Sequence, residues 1–241
     1  MKKVVLLCAA LAGSVGFTCA QVVDNIADLF PTTKGAQMVN SSYDAAGNLI
    51  GTMTTTVLDY YDYADGSDIQ LGFLMKDANG NEINRGVMDA YYEDDSFYMK
   101  MSNNMHMTPD VVKYLSMQND LVADFLDYPN PMGDEYPMDM YSEPIFAMDA
   151  GNYTITNKSD KSDFVRVQNH NRKYVGTETI ETPAGEFKAF KISYETDVTT
   201  DGRTTKYHGV EWYAPGAGVV RSEIYEGDQL QNYTVLTSMT K

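Results

Sequence analysis

The sequence predicts a mostly β domain, a bent antiparallel sheet or half-barrel of about ten strands wrapped around one main helix. Two observations predict it. Turn clusters recur along the chain at hairpin spacing, each flanked by residues that suit strands. Only one long segment carries the three-to-four residue apolar spacing of an amphipathic helix.

The elements follow in chain order. Lys2 and Lys3 precede an apolar run from Val4 to Phe17 that is too short for a retained membrane helix, so residues 1–20 read as a signal peptide. Thr18, Cys19 and Ala20 supply small residues for cleavage before Gln21, which leaves residues 21–241 as one domain. Lipid anchoring at Cys19 is disfavoured, because Gly16-Phe17-Thr18 lacks the Leu and small-residue pattern that such a signal wants. Residues 25–30 suit a short helical turn before Pro31.

Turns are expected at Asp44–Asn48, Ala64–Ser67 and Asp77–Asn81, and again at Pro183–Gly185, Thr200–Gly202, Pro215–Gly216 and Gly227–Asp228. Between them the chain alternates. Phe190, Ile192 and Tyr194 share one face and Lys191 and Ser193 the other, while Val210 and Trp212 alternate with Glu211. The helix is expected over Thr108 to Asp127, where Thr108 caps, Pro109 takes the first helical position, and Val111, Leu115, Val122 and Phe125 form a stripe. Tyr128 to Pro144 follows, with four prolines, three methionines and three tyrosines; it reads as a connector or a lid.

Composition narrows the function classes. Cleavage after Ala20 removes both cysteines, so no disulfide braces the mature chain and an ordinary core must hold it. The full chain carries a formal charge of −16, and loss of Lys2 and Lys3 makes the mature chain more acidic still. Such a surface repels nucleic acid and anionic membrane and favours neutral or cationic partners.

Signatures of catalysis are missing from the sequence. The three histidines show no paired ligand spacing, and no nucleophile elbow is present, so the protein is expected not to be an enzyme and to hold no metal or other cofactor. The run from Tyr98 to Met107 concentrates Met99, Met101, Met105, His106 and Met107, which suits Cu(I); with fifteen methionines in the chain, pliable core filling is the simpler account. The acidic stretches Asp62–Asp68 and Asp77–Glu82 offer oxygens for calcium, but neither keeps the full ligand spacing, and hairpin chemistry explains both. Eighteen tyrosines suit strands and could also serve a protein or glycan interface.

The C-terminal segment from Tyr174 to Ser238, with YVGTETIETPAGEFKAFKI and WYAPGAGVVRSE, resembles the TapB family of exported bacterial proteins, and FPTTKGAQMVNSSYDAAGNLIG, Phe30 to Gly51, fits it too. More distantly the pattern is similar to the LolA/LolB lipoprotein carriers, whose fold is a strongly bent antiparallel sheet partly closed by short helices. That resemblance implies an exported carrier that holds a lipid or acyl chain between sheet and helix, in the periplasm or outer envelope of a Gram-negative bacterium. Met101, Phe125, Met138, Met140 and Tyr141 are the expected lining, because thioethers and aromatics adapt to an apolar guest. The alternative is an envelope or surface interaction protein that binds a protein or glycan partner through tyrosine-rich faces.

Overall fold

A computed structural model describes residue 27 and residues 30–93, 96–100, 121–124, 153–157 and 163–240. They form twelve strands: β1 (Gln37–Asp44), β2 (Leu49–Asp62), β3 (Gly66–Asp77), β4 (Glu82–Glu93), β5 (Ser96–Lys100), β6 (Leu121–Asp124), β7 (Tyr153–Asn157), β8 (Asp163–Thr182), β9 (Gly185–Thr200), β10 (Arg203–Ala214), β11 (Gly218–Glu226) and β12 (Gln229–Met239). All lie in one antiparallel sheet, ordered β5-β4-β3-β2-β1-β12-β11-β10-β9-β8-β7-β6. The first and last strands therefore pair at its centre. Its two edges, β5 and β6, are consecutive in the chain.

All seven expected turns join consecutive strands. Two of them use the same device. In Asp44-Ala-Ala-Gly-Asn48 and Asp77-Ala-Asn-Gly-Asn81, the aspartate Oδ1 accepts from the backbone N–H groups two and four residues on, at 2.8 to 2.9 Å, and the asparagine amide donates to Oδ2. Gly47 and Gly80 supply the positive φ, +83° and +82°, that closes each loop. The Asn48 side chain, and then its backbone N–H, hold the Asp44 carboxyl below its usual range. Both Asp77 oxygens are likewise spent on the turn, which accounts for that acidic stretch by hairpin chemistry.

The sheet curls. A flat sheet would place β8 roughly 14 Å from β11 at ordinary strand spacing, yet β8 comes within 8 Å, Cα to Cα, of both β11 and β12. Asn171 at φ 55° and register shifts at His170/Lys173 and Tyr174/Gly176 bend β8 along the way. Alternation decides what the curl encloses. On β3, Ser67, Ile69, Leu71, Phe73, Met75 and Asp77 are buried while the residues between them are not. On β9, Ile192, Tyr194, Thr196 and Val198 take the same role.

One expectation changes. Leu121–Asp124, inside the stretch expected as the main helix, is the edge strand β6; it pairs with β7 from Leu121 opposite Asn157 to Asp124 opposite Thr154. A short run with β-branched Val122 satisfies its backbone on a neighbouring strand as readily as in a helix, and sheet pairing outweighs the helical spacing. Among the described residues no α-helix occurs, and the remainder of the expected helix lies outside them. On β10 the structure shows which of the two alternating faces is enclosed. Glu211 faces the core, opposite Ile192 and Ser222, with no exposed surface, whereas Trp212 sits on the outer face.

Candidate functional site

Among the described residues, large side chains are buried on the inner face of the sheet. Tyr194, Tyr213, Ile69, Leu71, Met75, Ile192 and Ile224 are the bulkiest fully buried ones. Tyr194 lies flat on Gly209 of the next strand, so closely that a Cβ at 209 would stand 2.0 Å from its Cζ. Such an approach requires glycine for lack of room and owes nothing to unusual backbone angles. A polar row crosses the same inner face: Ser42 opposes Thr234, which opposes Ser222, which opposes Glu211. Ser42 and Thr234 hydroxyls share a 2.9 Å hydrogen bond.

The outer face of the C-terminal half carries an aromatic and ionic band. Its centre is Trp212, the single tryptophan. The indole Nε1–H donates to Glu178 Oε2 at 2.9 Å, and Lys191 Nζ donates to Glu178 Oε1 at 2.9 Å. Lys191 and Arg221 lie 5.1 and 5.9 Å from the indole centroid, within cation–π reach. These neighbours leave Trp212 only 6% exposed despite its outward position. Strand register explains the assembly, since Lys191 opposes Trp212 and Trp212 opposes Arg221.

The band continues along β11, β12 and β1. Arg221 pairs with Glu223 and lies 5.4 Å from the Tyr233 ring, which stacks on Tyr43 at 5.1 Å. Glu223 also accepts from the Tyr225 hydroxyl, and Tyr225 stacks on His208 at 4.7 Å. Burial, then the bond to Glu223, pushes the Tyr225 phenol up to about 12. The bond from Lys191, then that from Trp212, holds Glu178 below the ordinary carboxylate range. Each carboxylate of the band is thus already engaged by a cation or a hydrogen-bond donor. Such an arrangement braces a surface and presents aromatic edges; it offers no base poised over a nucleophile.

A second surface stands at the β2–β3 tip. Tyr61 and Tyr63 are exposed by 53% and 51%, with their hydroxyls donating to Asp59 and Asp68 at 3.1 and 3.0 Å. The Tyr61 hydroxyl, then that from Lys34, holds the Asp59 carboxyl below its usual range. On the opposite half, Glu195 binds His170 at 3.1 Å and Asn171 at 3.0 Å across the bend in β8.

None of the residues expected to line a cavity can be placed against these features. Met101, Phe125, Met138, Met140 and Tyr141 lie outside the described residues, as do Met105, His106 and Met107. Sequence reasoning missed the Trp212 band. Its signal was available in the alternation of Lys191, Trp212 and Arg221, but only register brings them side by side. Among the described residues no group of three or more His, Cys, Asp or Glu is arranged to hold a metal ion, and no helix is long and apolar enough to cross a membrane.

The DUF3108-like family model matches residues 33–236. A crystal structure of a protein from Bacteroides fragilis NCTC 9343, described as exported and of YmcC-like fold, is 33% identical with a TM-score of 0.66, over 88% of this chain and 99% of that one. Another, described as a lipoprotein from Parabacteroides distasonis ATCC 8503, is 28% identical with a TM-score of 0.67, over 88% and 97%. The lipoprotein YmcC of Escherichia coli K12 is 9% identical with a TM-score of 0.34, over 85% of each chain. No curated protein matches the sequence. The family found is DUF3108-like; TapB and LolA/LolB remain resemblances of motif.

Proposed function

The chain belongs to the DUF3108-like family, and on that premise we propose that it is an exported, non-enzymatic binding module of the bacterial cell envelope that engages a partner on its outer surface. One observation carries this reading: the described interior is occupied by the protein's own side chains, down to the Tyr194 ring lying on Gly209. Among the described residues the exposed tyrosines Tyr61 and Tyr63 are on the surface, and such side chains combine an apolar ring with a polar end and are favoured in interfaces. Similar proteins described as exported or as a lipoprotein support an envelope setting. The test is cross-linking of the tagged mature protein in its own host. A defined protein or glycan adduct on the β2–β3 tip or the Trp212 band supports the reading, and adducts spread evenly over the surface overturn it.

A carrier for an apolar ligand is the second reading. It is favoured by the chain positions of Met101 and Phe125, which directly follow the two edge strands β5 and β6. With Met138, Met140 and Tyr141, those residues would line the ligand's site. Delipidated protein that gains thermal stability with a fatty acid or phospholipid supports this reading. No shift with any of them rejects it.

A further inference from the structure

We propose that the outer side of the β2–β3 hairpin tip, framed by Tyr61 and Tyr63, is the docking surface for a cationic polypeptide segment. The inference rests on the binding-module reading and names its surface and the chemistry of its partner. Large side chains exposed singly need no explanation, but two tyrosines exposed by half at one tip are a different matter. Their rings are also held in place. Tyr61 opposes Asp68 in the strand register, its hydroxyl bonds Asp59, and the Tyr63 hydroxyl bonds Asp68. Pre-ordered aromatic side chains lose little freedom on binding, which is what makes tyrosine an effective interface anchor.

Charge selects the occupant. Asp59 and Asp68 share the outer side with the tyrosines, Asp65 lies in the turn between the two strands, and the chain as a whole carries −16. Lys34 pairs with Asp59 there at 3.3 Å, with both side chains exposed. A guanidinium or ammonium group can lie over a tyrosine face while its charge meets these carboxylates. Nucleic acid and anionic membrane are repelled by the same field. A neutral glycan would use the rings but draw nothing from the carboxylate charge.

The experiment is fluorescence anisotropy of the whole mature protein with a labelled peptide of alternating arginine and alanine, at about 0.15 M salt to suppress diffuse attraction. Y61S/Y63S changes no charge, and E226Q/D228N removes two negative charges at the distant β11–β12 turn. Melting curves confirm that both variants fold. The proposal expects binding that weakens about tenfold or more in Y61S/Y63S and about twofold or less in E226Q/D228N. It is overturned by no binding, by a larger loss in E226Q/D228N, or by equal binding of the glutamate-for-arginine peptide. Envelope cross-links that persist in Y61S/Y63S would also remove this site while leaving the binding-module reading intact.

Discussion

Tyr194 and Gly209 show how much one missing atom can decide. The ring occupies the space where any other residue would carry its Cβ, so G209A must displace a fully buried tyrosine or the strand beneath it. We expect G209A to lose about 1–3 kcal/mol in denaturant unfolding. An unchanged midpoint would mean that the ring does not rest there. Nothing in the local sequence announces this glycine, because its φ is ordinary and its demand comes from the neighbouring strand. Glu211 was illegible for a related reason: alternation tells which residues share a face but not which face is enclosed. Trp212 supplies a reporter for its own surroundings. The Glu178 carboxyl is held below its ordinary value, so its bonds to Lys191 and Trp212 stabilise the fold above about pH 4.5 and are lost as the pH falls through the lower folded-state value. The single tryptophan's fluorescence should therefore change in mild acid below that pH while far-UV circular dichroism holds, and E178Q should abolish the transition. A transition that survives E178Q contradicts the assignment.

At the scale of elements, the hairpin turns were the most legible part of the chain. Asp-x-x-Gly-Asn works alike at Asp44 and Asp77 because the carboxylate, the left-handed glycine and the asparagine amide are all local to five residues. Asp77 is largely buried and accepts several bonds, so D77A leaves turn amides unsatisfied. We expect a loss of about 1.5–3 kcal/mol for D77A by chemical denaturation, and a change near zero would show that water replaces the carboxylate at no cost. β6 was misread because four residues cannot display a period, and the apolar residues that suggested a helix stripe also suit an edge strand. Its partner, β7, starts at Tyr153, well beyond the Asp124 end of β6, so pairing there is beyond local signals.

For the whole molecule, the sheet order follows the chain outward from the central β1–β12 pair, to β5 at one edge and back from β6 at the other. A chain of successive hairpins makes most of that order readable, since each strand pairs with its neighbour in sequence. The junction of the two termini is not readable this way. It depends on long-range pairing such as Ser42 with Thr234, and on bonds such as Ser41 to Thr237 at 2.9 Å. The candidate surfaces inherit the same limit. Tyr61 and Tyr63 are close in sequence, whereas the Trp212 band gathers residues from β8 to β12 and β1 that only curling and register unite. On the binding-module reading, the protein's own side chains occupy the described interior and recognition happens on the outer surface. Native mass spectrometry of the protein purified from its own host separates this from a carrier. A species at the mass of the polypeptide alone or of its complex with a partner is expected; a tightly but non-covalently retained lipid or acyl chain on the monomer would speak for a carrier instead.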